Sequence, residues 1–231
     1  MTRFFRVLLL AALGGCATTG EERDPRDPLE GFNRGVYRFN ETVDVYVAQP
    51  VARAYVKLLH QEIRTRVGNF FSNVQDIFIG VNNFLQGKFE DGVNDWARFT
   101  FNTTFGLLGI HDVASEMGLE KHNEDFGQTF GRWGAPPGPY LILPFLGSST
   151  VRDGAGTAID WTVAPLTEVR PIALRNTLFG LYLVNTRADL LEAGRILEEA
   201  ALDKYVFQRD AYLQRRRSLI YDGSPPREKY E

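Results

Sequence analysis

The chain has 231 residues, with 26 Lys and Arg against 29 Asp and Glu, a net charge of −3 and a 44% hydrophobic content. That balance excludes the basic surface a nucleic-acid partner or a purely electrostatic membrane binder would need. A single cysteine excludes an internal disulfide framework, and seventeen Phe point to a large core or to a surface that meets lipid or another protein.

Arg3 and Arg6 precede a short apolar core, residues 7–13, which closes in Leu13-Gly14-Gly15-Cys16. This order is that of a bacterial lipoprotein signal peptide over residues 1–15. Its core is too short to span a bilayer, which takes about 20 residues. Cys16 is then the expected lipidation site, since a lone cysteine in an exported chain has no disulfide partner. Ala17, rather than Asp, follows it, which in bacterial lipoproteins generally favours the outer membrane, facing the periplasm. Residues 16–27, with the polar run "ATTGEERDPRD", read as a tether. At about 3.3 Å per residue it reaches roughly 35–40 Å at most, which keeps the folded part on or in the membrane.

One domain is expected over residues 28–222. Asp27-Pro28-Leu29-Glu30 carries an N-cap acid, a proline at the first helical position and a glutamate beyond it. The helix that follows has Val36, Phe39, Val43 and Val47 on one side, until Pro50 interrupts it. Ile63, Val67, Phe70, Val74, Ile77, Val81 and Phe84 recur at three and four and predict a long helix that Gly87 ends. A further amphipathic helix runs from Phe89 towards Leu107 and loses definition in "NTTFGLLGIHD". Short helices are expected over 125–131 and 149–159, and another from Pro171 to about Val184. Thr186-Arg187-Ala188-Asp189 reads as a capping box for residues 190–201, and Asp203 starts a last helix with Val206, Leu213 and Ile220 on one face. Residues 223–231 read as a solvated tail. The periodicity is helical nearly everywhere, so the expected class is all-α with no repeat.

The segment "WGAPPGPYLILPFLGSST", residues 133–150, breaks that pattern. Pro136, Pro137, Pro139 and Pro144 exclude a regular helix, and no charge occurs between Arg132 and Arg152. An apolar hairpin satisfies both constraints: Gly134, Gly138 and Gly147 permit the bends, and Tyr140, Leu141, Ile142, Leu143, Pro144, Phe145 and Leu146 face lipid or a partner. A loop that plugs the domain's own core is the competing reading.

Catalytic signatures are weak. His111, Asp112, His122, Glu124 and Asp125 match no usual zinc spacing. "GSSTV" at 147–151 lacks the second glycine of a nucleophile elbow, so Ser148 or Ser149 reads as a helix cap. There is no phosphate-cradling or dinucleotide fingerprint. No catalytic residue, metal site or cofactor is expected. The run Arg215-Arg216-Arg217 reads as a charged helix face that complements the helix dipole, and Arg152, Asp153 and Asp160 as ordinary ion pairs.

Several stretches in collinear order resemble one family. "DPLEGFNRGVYRFN" (27–40), "NNFLQG" (82–87), "RFTFNTTFGLLGIHDVA" (98–114), "FGQTFGRWGAPPGPYLILPFLGSSTVRDGAG" (126–156), "NTRADLLEA" (185–193) and "YVFQRDAYLQRR" (205–216) are similar to the MlaA/VacJ outer-membrane lipoproteins. The resemblance implies a non-enzymatic, ring-shaped, all-helical protein lying in the outer membrane beside a trimeric porin. It implies an amphipathic channel that removes mislocalised phospholipids from the outer leaflet and delivers them to a soluble periplasmic carrier. The resemblance also associates Phe39 and Asn40 with gating. Asn102, Thr103 and Thr104, set between Phe101 and Phe105, are candidates for the polar lining, or else cap their own helix end. The alternatives are a structural lipoprotein that organises porins and a periplasmic lipid hydrolase acting through Ser149 or His111.

Overall fold

The computed structural model describes residues 24–227. The signal segment and Cys16 lie outside the described residues. Among the described residues the regular structure is helical except for one small two-stranded sheet. Helix α1, Glu30–Val43, passes through a π turn at Asp44–Ala48 into α2, Gln49–Leu58. A 25-residue helix α3, Gln61–Leu85, folds back on α4, Phe89–Thr104, and the short α5, Val113–Glu116, and α6, Phe126–Arg132, follow. Strands β1, Tyr140–Leu143, and β2, Gly147–Thr150, form the hairpin, and α7 follows as Val151–Val163. A 3-10 turn, Pro165–Glu168, leads to α8, Ile172–Asp189, then α9, Leu191–Ala200, and α10, Lys204–Ile220.

Contacts between elements close into a ring. Helix α1 meets β1, β2 meets α10, α10 meets α6, α6 meets α3, α3 meets α8, and α8 meets α2, which continues α1. Among the described residues no helix is long and apolar enough to cross a membrane.

Several local expectations give way to tertiary context. Asp27 does not cap α1: its carboxylate is fully buried and accepts from Asn33 Nδ2 at 2.8 Å and from the Tyr205 hydroxyl. Pro50 does not end the first helix. The π turn immediately before it widens the backbone where the proline ring would clash with the preceding turn, and helical structure continues to Leu58. Thr150, not Ser148 or Ser149, caps α7, accepting from the Asp153 amide at 3.1 Å. Thr186 does not open a new helix, because α8 runs on to Asp189. The helix from Phe89 stops at Thr104, since Leu107 and Leu108 take positive φ values of 52° and 59°. Asp125 and Asp203 do cap α6 and α10, accepting from the Gln128 amide and from the Tyr205 and Val206 amides.

Tight helix contacts need glycine. A Cβ on Gly80 would lie 2.5 Å from Trp96 Cδ1, and one on Gly156 would lie 2.3 Å from the Gly127 backbone nitrogen. The aromatic rings of α4 thus pack on the spine of α3, and α7 touches α6 backbone to backbone.

The interior is polar. Among the described residues, buried polar or charged residues number seventeen and buried hydrophobic ones nine, the reverse of a water-soluble domain. Arg98, 2% exposed, hydrogen-bonds Asp112 through Nη2 (3.0 Å to each carboxylate oxygen) and lies 3.6 Å from Asp76, which also takes Lys121. Asp153 takes Arg152, Arg216 and the Tyr212 hydroxyl, and Arg216 forks onto Asp125 at 2.5 and 2.9 Å. Arg187 grips Asp44 at 2.6 and 2.8 Å, tying α8 to the π turn. The outside is rich in bare aromatics and leucines: Tyr46, Leu58, Phe89, Phe105, Leu107 and Phe145 are all more than 60% exposed. Apolar surface on this scale is stable against lipid or protein, not against water.

Candidate functional site

Three helix faces and a loop enclose a cavity of about 890 Å³. On α3 the lining residues Phe71, Val74, Gln75, Phe78 and Ile79 fall at helical spacing. On α7 they are Thr157, Asp160 and Trp161, and on α8 Arg175, Asn176, Phe179 and Tyr182. Ala164 to Thr167, and Asn123, Glu124 and Asp125, complete the lining. The apolar wall is aromatic: Phe71 packs on Tyr182 at 5.3 Å and Trp161 on Phe179 at 6.2 Å. Gln75 Nε2 donates to the Tyr182 hydroxyl at 3.1 Å and fixes α3 against α8.

The polar wall is acidic. Glu124 accepts from Gln86 at 2.7 Å and from Lys88 at 3.0 Å, yet burial still raises its pKa. Asp160 accepts the Phe126 amide at 3.3 Å, and burial, with the Asp125 charge beside it, pushes its pKa up to about 6. Asp125 is held by Arg216. One cavity therefore offers aromatic surface for hydrocarbon and ionisable groups for a polar head, an arrangement suited to an amphiphile.

Next to it is a smaller cleft of about 230 Å³ lined by Leu143, Leu146, Ser148, Ser149, Asp153, Tyr212 and Arg216, with Asp125 and Thr157 shared between the two. The hairpin thus borders the smaller cleft and leaves the large cavity to the helices.

The structure divides the hairpin residues by pleat. Tyr140 and Ile142, 0% and 1% exposed, point into the domain and pack with Tyr205. Leu141 and Leu143 are half-buried, and Phe145, at 74%, forms the bare tip. Tyr140 pairs with Thr150 and Leu143 with Gly147 in an antiparallel register. The expected outward orientation of the whole segment therefore holds only near the tip. The competing core-plug reading holds for Tyr140 and Ile142, because strand alternation sends every second side chain inward. Gly134, Gly138 and Gly147 adopt φ of 92°, 68° and 83°, and Pro144 lies just before the tip. The proline stretch also supplies carbonyls without competing donors: Pro137 and Pro139 accept the first amides of α7, from Arg152 at 3.1 Å and Val151 at 3.2 Å.

Two asparagines of α1 grip the hairpin. Asn33 accepts from the Ile142 amide at 2.9 Å and donates to the Tyr140 carbonyl at 3.0 Å. One helical repeat on, Asn40 accepts from the Phe145 amide at 2.8 Å and donates to the Leu143 carbonyl at 3.0 Å. Phe39 meets Phe145 edge to face at 5.2 Å. Phe39 and Asn40 are thus clamp residues of the tip.

Asn102, Thr103 and Thr104 do not line the cavity. Asn102 is buried, donating to Asp112 at 2.9 Å and accepting from the Ala114 amide at 2.9 Å, so it secures the loop after α4. Thr103 accepts from Asn73 at 3.0 Å, and Thr104 is exposed. The five residues weighed as a metal cluster separate into different networks: His122 faces Asp95 at 2.9 Å, Asp112 serves Arg98, and Asp125 serves Arg216. Ser149 donates to the Thr150 carbonyl at 3.1 Å, and Ser148 lies between Tyr140 and Gln208; neither meets a histidine. Of the cavity residues on α7 and α8 the sequence reading named only Asp160, as a member of an ordinary ion pair; that pairing holds for Arg152 and Asp153, whereas Asp160 has no cation partner among the described residues and lines the cavity instead. The one available signal was the adjacency of Asp160 and Trp161, a charge next to a large aromatic ring.

Comparison with known proteins agrees with this architecture. The MlaA lipoprotein family profile matches residues 25–219. The intermembrane phospholipid transport system lipoproteins MlaA of Escherichia coli (strain K12) and of Shigella flexneri are each 39% identical over 218 residues, covering 91% of this chain and 85% of theirs. Their counterpart in Haemophilus influenzae is 28% identical over 233 residues, covering 94% and 89%. A solved structure, from work on the structural basis for maintenance of bacterial outer membrane lipid asymmetry, superposes with a TM-score of 0.74 at 34% identity, covering 86% of this chain and 100% of that one. With the polar-cored helical ring, the clamped hairpin and this extent of similarity in hand, the chain belongs to the MlaA lipoprotein family.

Proposed function

We propose that this protein is an outer-membrane lipoprotein, anchored through Cys16, that takes mislocalised phospholipids from the outer leaflet through its amphipathic cavity and passes them to a soluble periplasmic carrier. The observation that carries this reading is the inverted polarity of the fold: bare aromatics outside, buried ion pairs inside, and between them a cavity with one aromatic and one acidic wall. A ring in lipid can satisfy its backbone within helices while its outer side chains replace acyl contacts. The hairpin tip, with Phe145 and Leu146 exposed, is the surface offered to a trimeric porin.

The mechanism follows from the lining. Phe71, Phe78, Trp161 and Phe179 provide a surface along which acyl chains slide without entering water. The polar wall keeps the headgroup solvated or paired, so that neither half of the lipid crosses an unmatched medium. The family's lipid-system relatives support this reading by name. Outer-leaflet phospholipid labelling in a deletion strain should rise and fall back on complementation with the wild type, but not with Cys16→Ala. Labelling unchanged by the deletion would refute it and leave a scaffold for porins as the better account.

A further inference from the structure

Two opposite charges in the cavity are left over from the ion-pair scheme of the fold. Asp160 accepts one long hydrogen bond, 3.3 Å from the Phe126 amide, and among the described residues no cation forms an ion pair with it. The nearby Arg216 is committed to Asp125 and Asp153. Arg175, which follows the 3-10 turn in the chain and is half-buried, donates to its neighbour Asn176 Oδ1 at 3.4 Å and has no carboxylate partner among the described residues. Among the described residues, the more deeply buried cations are matched: Arg98 by Asp76 and Asp112, Lys88 by Glu124 and Asp222, Arg209 by Asp24 and Asp27. Asp160 and Arg175 both face the same cavity, beside aromatic walls. An unmatched charge against apolar surface costs free energy that a ligand of opposite charge recovers.

We propose that the cavity selects zwitterionic aminophospholipids, with Arg175 holding the phosphate and Asp160 the ammonium of an ethanolamine-type headgroup. This rests on the conduit reading above. A guanidinium matches phosphate oxygens in a forked geometry, and a carboxylate matches an ammonium. The neighbouring acids do not compete for the ammonium: Glu124 and Asp125 line the same cavity but are already paired with Lys88 and Arg216, which leaves Asp160 to disfavour a headgroup that brings only negative charge. An ammonium beside Asp160 also offsets the burial that raises that group's pKa. The aromatic rings of Phe71, Phe78, Trp161 and Phe179 then meet the glycerol and first acyl carbons.

The test uses the full lipidated protein, extracted in a neutral detergent and incubated with vesicles of equal parts phosphatidylethanolamine and phosphatidylglycerol, with retained lipid read by mass spectrometry. The wild type should enrich phosphatidylethanolamine by at least about tenfold, the discrimination that one charge-assisted hydrogen bond supplies. Asp160→Asn should bring the ratio near one with total lipid unchanged, Asp160→Glu should keep the preference, and Arg175→Gln should lower the retention of both lipids. Circular dichroism melting confirms that each variant is folded. Equal retention by the wild type, or enrichment that survives Asp160→Asn, overturns the headgroup assignment and leaves the conduit standing. Retention of neither lipid overturns both.

Discussion

The two asparagines of α1 make chemically identical grips on the hairpin, and burial predicts that their removal has unequal consequences. Asn33 is 0% exposed and binds the Ile142 amide, the Tyr140 carbonyl and the Asp27 carboxylate at 2.9, 3.0 and 2.8 Å. Alanine there strands one backbone donor and one acceptor in the core. Each orphan costs about 1–3 kcal/mol, so Asn33→Ala should cost about 2–6 kcal/mol, a large share of the ~5–15 kcal/mol that holds a typical domain together. Asn40 makes the same pair of bonds at 2.8 and 3.0 Å, but to Phe145 and Leu143 at a tip that is mostly exposed. Solvent replaces those bonds, and Asn40→Ala should cost about 0.5–1.5 kcal/mol. Guanidinium unfolding in detergent, followed by circular dichroism, gives both values, and hydrogen exchange at residues 143–146 should speed up in Asn40→Ala while that at 140–142 does not. Equal losses for the two variants, or a loss under about 1 kcal/mol for Asn33→Ala, would refute the burial argument.

Gly156→Ala should lower stability by about 3 kcal/mol or prevent folding, since its Cβ would sit 2.3 Å from backbone that cannot move without parting α6 from α7; the denaturation midpoint reads this. Ile142→Asp should unfold the protein, whereas Phe145→Asp should leave the melt unchanged and abolish complementation of the deletion strain, because only the second side chain lies outside the core. Asp160 has a folded pKa of about 6, above its unfolded value near 4, so its ionisation destabilises the fold as pH rises through that window. Asp160→Asn should therefore be more stable than the wild type at pH 7.5, with the gap closing by pH 4. Asp112 behaves oppositely: burial draws its pKa up, but hydrogen bonds from Ser115, Asn102 and Arg98 outweigh that and hold it at about 2. Its contribution is present above about pH 4 and is lost as pH falls towards 2, so Asp112→Asn should flatten the acid side of the stability profile measured from pH 5 to pH 2.

The helices were legible because their signals are local. The stripe from Ile63 to Phe84 and the caps at Asp125 and Asp203 depend on neighbours three or four residues away. The proline- and glycine-marked hairpin was legible for the same reason, as was the class of the fold. Other local readings were overruled by distant partners or by backbone context. Asp27 has the chemistry of a cap but is drawn inward by Asn33 and Tyr205. Pro50 reads as a break until a π turn accommodates it. Asn102 reads either as a polar-lining residue or as a cap of its own helix end, and it is Asp112 and the Ala114 amide, 10 and 12 residues on, that claim it.

By itself the sequence determined the lipoprotein signature, the helical class and the segment that had to be a hairpin, since each rests on covalent geometry or near-neighbour periodicity. Only the tertiary structure decided which charges are spent on one another and which remain. Arg98, Arg216 and Arg209 look no different in sequence from Arg175, and Asp153 no different from Asp160. Whether a charge is paired depends on partners brought together from 14 to 185 residues away, and periodicity carries no information at that range. The same is true of the cavity: its walls come from α3, α7 and α8, and the space between them exists only once the ring has closed.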